Sequence, residues 1–144
     1  MLFKKLVVGV DFSEKSERAV TVALRLAAAS GGAVVVVNAV PSSPEVVPTG
    51  KPEDAQIESI ERRLRDYAAD LAKSSGLAVD YGAVHGNDAA AALNGFVSKW
   101  GGDVLVVGSA ARTGVERIVI GSVASRLVAT SSVPVLVIGP HAVV

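Results

Sequence analysis

Five short apolar runs, most of them rich in valine, alternate along the chain with longer segments of helical periodicity. In most runs the apolar residues are consecutive rather than alternating, which is typical of strands covered on both faces. The third run is the most polar and is expected at an edge of the sheet. Strand–helix alternation with short connections favours parallel strands, so the pattern predicts a three-layer α/β fold. The predicted strands lie at residues 5–10, 33–40, 77–84, 103–109 and 133–139.

Four helices are predicted between these strands, at about residues 13–30, 53–75, 88–100 and 121–130. Pairs of glycines end the first and the third of them. Apolar residues of the second recur at spacings of three and four, as expected of a helix that packs on the sheet. The connection 41–52, after the second strand, contains four prolines. Its length and position predict a loop that could cover a ligand.

Length and composition limit the class of protein. The 144 residues are enough for a sizeable core, so we expect residues 1–144 to form a single domain. Fourteen basic residues balance fourteen acidic ones, which argues against a nucleic-acid-binding or membrane-surface protein. The absence of cysteine excludes disulfides and thiol chemistry. Without an apolar run of membrane-spanning length or a signal-peptide pattern, a cytoplasmic protein is expected.

Two loops are candidates for a ligand site because they leave the carboxyl ends of predicted strands. In open α/β sheets, ligands bind at such ends, where the strand order reverses. The loop 8–13 places Asp11 directly after the first strand, and the loop 107–114 follows the fourth. Asp11 is therefore a candidate ligand contact, although it could equally cap the first helix.

The start of the fourth helix is a candidate phosphate site. Its free backbone N–H groups and positive dipole favour an anion, and Gly121 permits close approach. The hydroxyls of Ser122 and Ser125 follow, while Gly108 and Ser109 could contact the same phosphates from the fourth strand. These residues could instead have purely structural roles, since a glycine can form a turn and Ser122 can cap the helix.

Common catalytic and nucleotide signatures are missing from the sequence. Neither the P-loop pattern G-x-x-x-x-G-K-[ST] nor G-x-G-x-x-G after the first strand is present. The two histidines, His85 and His141, lack a spacing that would form a triad or a metal site. No catalytic and no metal-ligating residues are therefore expected.

Several stretches of the chain match a known family. They are VVGVDFSEKSERAV, VVVVNAV, GND, GSAARTGVERIVIGSVASRLV and SSVPVLVIGP, and together they extend over nearly the whole chain. In this combination the chain resembles the universal stress proteins. ATP-binding members of that family carry the pattern G-x-x-G-x9-G-[ST]. Here Gly108 matches its first glycine, and Gly121 and Ser122 match its last pair.

The resemblance implies a Rossmann-like or flavodoxin-like sheet of order 3-2-1-4-5, and a homodimer that pairs through the last strand, Val133 to Gly139. It also implies a role in the stress response, with ATP, alone or with Mg²⁺, as the bound cofactor and at most slow ATP hydrolysis. Asp11 and the backbone of Ala39 would lie by the adenosine, and Gly121 with the two residues after it would cradle the triphosphate. The full set of implied binding residues is Gly9, Asp11, Ala39, Val107, Gly108, Ser109, Ala111, Arg112, Gly121, Ser122, Val123, Ala124 and Ser125.

Three positions depart from the family pattern. Ala111 replaces its second glycine, Ala110 stands where a polar residue is common, and Gly9 stands where some ATP-binding members have proline. The methyl group of Ala111 would narrow the space beside the phosphates, and Arg112 could offset this by pairing with one of them. We expect ATP binding. Because the family also has members that do not bind ATP, the alternative is a nucleotide-free dimeric interaction module with a degenerate site.

Overall fold

Strands and helices alternate throughout residues 3–41, 52–109 and 120–144, which are the parts of the chain that this computed structural model describes. All predicted strands and helices are present, with boundaries within two residues of the predicted ones. The predicted ligand-covering loop lies outside the described residues, except for its ends. No helix within these ranges is both long and apolar enough to cross a membrane. The elements are β1 Lys5–Gly9, α1 Glu14–Ser30, β2 Ala33–Pro41, α2 Pro52–Ser75, β3 Val79–Gly86, α3 Ala89–Trp100, β4 Val104–Gly108, α4 Ser122–Thr130 and β5 Val135–Ile138.

The five strands form a sheet of order β3-β2-β1-β4-β5, in which all neighbours are parallel. This confirms both the predicted order and the edge position of the third strand. Val7 of β1 pairs with Val35 on one side and with Leu105 on the other. The chain moves from β1 outward to β3 and then crosses to β4, so the strand order reverses between β1 and β4. A crevice is expected beyond the carboxyl ends of these two strands.

Both faces of the sheet are buried, which is why the strand sequences are apolar at consecutive positions. The four residues from Val34 to Val37 of β2 have no exposed surface, although successive side chains point to opposite faces. Burying one such side chain contributes about 1.5–3 kcal/mol. The face covered by α1 and α2 includes Leu6, Val8, Val34, Val36, Val104 and Val106, and the face covered by α3 and α4 includes Val7, Val35, Val37, Leu105 and Val107.

The helix starts differ in a way that bears on the site. The side chain of Ser13 caps α1 by accepting a hydrogen bond from the backbone of Ser16, and Asp88 caps α3 in the same manner. By contrast, α4 follows Gly121 and has no side-chain cap from a described residue. Its first backbone N–H groups therefore remain available as donors.

Candidate functional site

A cleft of about 190 Å³ lies at the carboxyl ends of β1, β2 and β4, where the strand order reverses. The starts of α1, α3 and α4 complete its walls. Seven of the predicted binding residues line it and so are brought together from distant parts of the sequence. These are Gly9, Asp11, Ala39, Val107, Gly108, Val123 and Ala124.

The remaining predicted residues lie elsewhere or outside the described ranges. Ser109 is 2% exposed, and its backbone N–H donates to the carbonyl of Ile138 in β5 at 2.8 Å. Gly121, Ser122 and Ser125 are exposed at the start of α4, beside the cleft residues Val123 and Ala124. Ala111 and Arg112 lie outside the described residues, as does Ala110.

The cleft is also lined by seven residues that were not predicted from the sequence. They are Val10, Lys15, Ser16, Val37, Asn38, Ala89 and Leu93. Lys15 is the charged one among them, and its position four residues after Asp11 was the signal that could have identified it. The first turn of a helix that follows a parallel strand lies at the carboxyl end of the sheet, next to the loop that carries Asp11. The valines and the leucine supply an apolar floor that suits a flat organic group.

Asp11 supports the start of α1 from two positions before the cap. Its Oδ1 accepts hydrogen bonds from the backbone N–H of Ser13, at 3.0 Å, and from the Ser13 hydroxyl. Its Oδ2 lies 3.3 Å from the Lys15 ammonium. Partial burial raises the pKa of Asp11, but the hydrogen bonds from Ser13 and the charge of Lys15 outweigh this and hold its pKa below the usual value. The cleft therefore contains an ionised acceptor.

The loop carrying Asp11 is anchored to α2 through Phe12. Phe12 has a φ of 63°, a left-handed conformation that costs a residue with a Cβ about 1–2 kcal/mol. The Arg63 guanidinium lies 3.8 Å from the centre of its ring, and Tyr67 contacts the ring edge-on at 5.8 Å between centroids. Burial and the neighbouring Glu17 carboxylate raise the pKa of Tyr67 to about 12, so it is neutral and can donate to Glu17. These contacts hold the strained residue in place.

Close backbone packing fixes the opposite wall of the cleft. A Cβ on Gly108 would lie 2.3 Å from the carbonyl oxygen of Lys15, so the end of β4 rests directly on the first turn of α1. The Asn38 side chain donates to the carbonyl of Val10 at 2.8 Å, which ties the segment after β1 to β2. The cleft is thus held by the packing of β4 on α1 and by a side-chain hydrogen bond from β2 to the segment after β1.

The N-terminus of α4 faces this arrangement. The N–H groups of Ser122, Val123 and Ala124 precede the first helical hydrogen bond, and they carry the positive end of the helix dipole. Two polar contacts orient α4 against α3, an ion pair of Arg126 with Asp88 and a hydrogen bond between Asn94 and Thr130 at 2.9 Å. The site combines an apolar floor, an ionised carboxylate, a lysine and backbone donors suited to an anion. Within the described ranges, no group of three or more His, Cys, Asp or Glu side chains could hold a metal ion.

An open parallel sheet with its cleft at the point of strand reversal defines a doubly wound α/β protein of the Rossmann-like class. The chain belongs to the universal stress protein family, whose family model matches residues 2–139. It is 32% identical over 144 residues to Universal stress protein MJ0531 of Methanocaldococcus jannaschii. The match covers 95% of this chain and 82% of that protein.

Two solved structures place the fold among those of the same family. The universal stress protein UspA from Lactobacillus plantarum is 20% identical, with a TM-score of 0.77 and coverage of 96% of this chain and 99% of that one. A universal stress protein solved in complex with cAMP is 28% identical, with a TM-score of 0.65 and coverage of 94% and 96% respectively. Because the Lactobacillus plantarum protein is only 20% identical, its similarity establishes the fold alone.

Proposed function

We propose that residues 1–144 form one regulatory domain that binds an adenine nucleotide, specifically ATP, and acts as a homodimer in the stress response. The observation that carries this proposal is the meeting of Asp11, Lys15 and the uncapped start of α4 around one cleft with an apolar floor. A nucleotide has a flat base, hydroxyls and an anion, which match these three kinds of group. The cytoplasmic location stays a prediction from the sequence.

The groups along the cleft match the base, the ribose and the phosphates of ATP in that order. The apolar floor, formed in part by Val37 and Leu93, suits the base, and ionised Asp11 can accept hydrogen bonds from the ribose hydroxyls. The free N–H groups at the start of α4 suit the phosphates. Asp11 is the one carboxylate among the described lining residues. A Mg²⁺ ion that accompanied ATP would therefore be held mainly by phosphate oxygens. The cAMP complex of a 28% identical protein supports an adenine nucleotide as ligand.

The alternative is a nucleotide-free interaction module in which side chains fill the crevice. The described walls enclose about 190 Å³ of open space, which favours a ligand. Ala111, on which the alternative rests, lies outside the described residues. The two functions are therefore separated by experiment.

Restoring the motif glycine with Ala111→Gly should tighten ATP binding about tenfold, or about 1.4 kcal/mol. The family motif implies that residue 111 lies beside the phosphates, where a glycine would leave more space for them than alanine. Calorimetric titration of ATP into the parent and variant measures this, and acid extraction of the purified parent tests for a retained adenine compound. Absence of binding heat and of a thermal shift in both proteins would support the nucleotide-free module.

Dimer formation is proposed through the free edge of β5. In the described part of the chain β5 pairs with β4 alone, and its Leu136 is 36% exposed, with Val128 of α4 58% exposed. Unpaired strand edges favour association.

Light scattering at micromolar concentration should give twice the 14.6 kDa chain mass, and Leu136→Lys should shift the protein toward monomer because it places charge at the edge. The variant Lys73→Glu, at the far end of α2, serves as a surface-charge control. A parent protein of monomer mass would contradict the dimer.

A further inference from the structure

Two charged side chains, Asp11 and Lys15, line the described cleft. The Lys15 Nζ lies 3.3 Å from the Asp11 Oδ2, and the two side chains are 42% and 48% exposed. An ion pair this open to water is held weakly, so either partner can exchange its contact for another at small cost.

Lys15 lies at the point where the two halves of the sheet meet. Its side chain pairs with Asp11, which follows β1, while its backbone carbonyl packs against Gly108 at the end of β4. This position is fixed by the contact of α1 with β4, not by a flexible loop. The backbone of Lys15 is therefore fixed where its side chain can reach a ligand that spans the cleft from β1 toward α4.

Three other cations of the described ranges are engaged with groups outside the cleft lining. Arg126 pairs with Asp88, Arg63 lies over the Phe12 ring, and Lys5 lies over the Trp100 ring. None of these three lines the cleft. Lys15 is thus the cation that the described cleft offers to an anionic ligand.

We infer that Lys15 binds a phosphate group of the ligand and selects phosphorylated adenosine over adenosine. This inference rests on the proposed nucleotide function and assigns the charge selection of the same site. In the free protein the ammonium neutralises Asp11. When the ribose hydroxyls donate to Asp11, Lys15 exchanges the carboxylate for a phosphate oxygen, with which it forms a charge-assisted hydrogen bond. Without Lys15, the uncompensated Asp11 carboxylate repels the phosphate.

The test compares adenosine, AMP and ATP by calorimetric titration into the parent, Lys15→Gln and Lys15→Arg. In Lys15→Gln we expect affinity for AMP and ATP to fall about tenfold or more, with adenosine changed less than about twofold, because one charge-assisted contact is lost. Lys15→Arg keeps the cation and should retain phosphate selectivity. Lys73→Gln, in the last turn of α2, is the matched control and should behave as the parent.

The outcomes separate this inference from the proposed function. Equal losses for adenosine and the nucleotides would mean that Lys15 only positions Asp11, and unchanged affinities would mean that it does not contact the ligand; either result overturns the inference alone. A parent protein that binds none of the three ligands overturns the proposed function and the inference with it. Thermal unfolding of each variant verifies that the fold is retained.

Discussion

Gly108→Ala is expected to lower the free energy of unfolding by about 3 kcal/mol, at the upper end of the usual cost of overpacking. The new Cβ would lie 2.3 Å from the carbonyl oxygen of Lys15 and 2.7 Å from its carbonyl carbon. Both are backbone atoms in the first turn of α1, so no side-chain rotation can relieve the overlap. The end of β4 and the start of α1 must separate, which should lower the Tm by roughly 6–12 °C.

Gly95→Ala is the matched control for this experiment. Gly95 lies within α3, and a Cβ there meets no described atom within 4 Å. Alanine favours a helix more than glycine does, so this variant should gain about 0.5–1 kcal/mol. Urea unfolding of both variants measures the two changes. A Gly108→Ala protein as stable as the parent would contradict direct packing of β4 on α1.

The strands and helices could be predicted because the spacing of apolar residues and the positions of glycines follow directly from burial and from helix ends. The valine run of β2 is buried on both faces, and the Gly-Gly pairs after α1 and α3 begin with residues in the left-handed conformation. The strand order could not be obtained in this way, since periodicity does not specify which strands are neighbours. It came from the family resemblance and is confirmed by the sheet.

The predicted residues that directly follow strands lie together at the cleft, whereas lining residues whose position depends on tertiary contacts were not predicted. Asp11 and Gly108 end or follow parallel strands, so the topology alone brings them to one edge. The proposed role of Lys15 depends on the packing of α1 against β4, a tertiary contact that its sequence position after Asp11 does not specify. Likewise, the sequence offered Asp11 as a helix cap. The structure gives the cap to Ser13 and places Asp11 behind it as an acceptor for the Ser13 hydroxyl and N–H.

The family motif also treats Gly108 and Gly121 alike, whereas the structure separates them. Gly108 is required by the packing of the fold. Gly121 has an ordinary φ of −60°, and a Cβ there would meet no described atom within 4 Å. Because neither its conformation nor the described packing needs glycine, its proposed purpose is the approach of a phosphate to the start of α4.

Gly121→Asp should therefore weaken ATP binding on the order of 100-fold, or about 2.8 kcal/mol, while the fold is unharmed. Aspartate is a preferred N-cap, so its carboxylate should bond the free N–H groups of α4 and raise the free energy of unfolding by a few tenths to about 1 kcal/mol. The same bonds remove the donors proposed for the phosphates, and the negative charge repels them. Calorimetry with ATP and thermal unfolding without it measure the two opposite effects.

The variant Gly121→Asn separates the two causes of that loss. Asparagine has nearly the same shape and caps equally well, but it carries no charge. Loss of ATP affinity shared by both variants measures competition for the N–H groups, and the additional loss with aspartate measures repulsion. Adenosine, which lacks a phosphate, should bind all three proteins with similar affinity. Unchanged ATP affinity in Gly121→Asp would place the phosphates away from α4, and a glycine that neither the described packing nor the ligand requires would then have no role at this cleft.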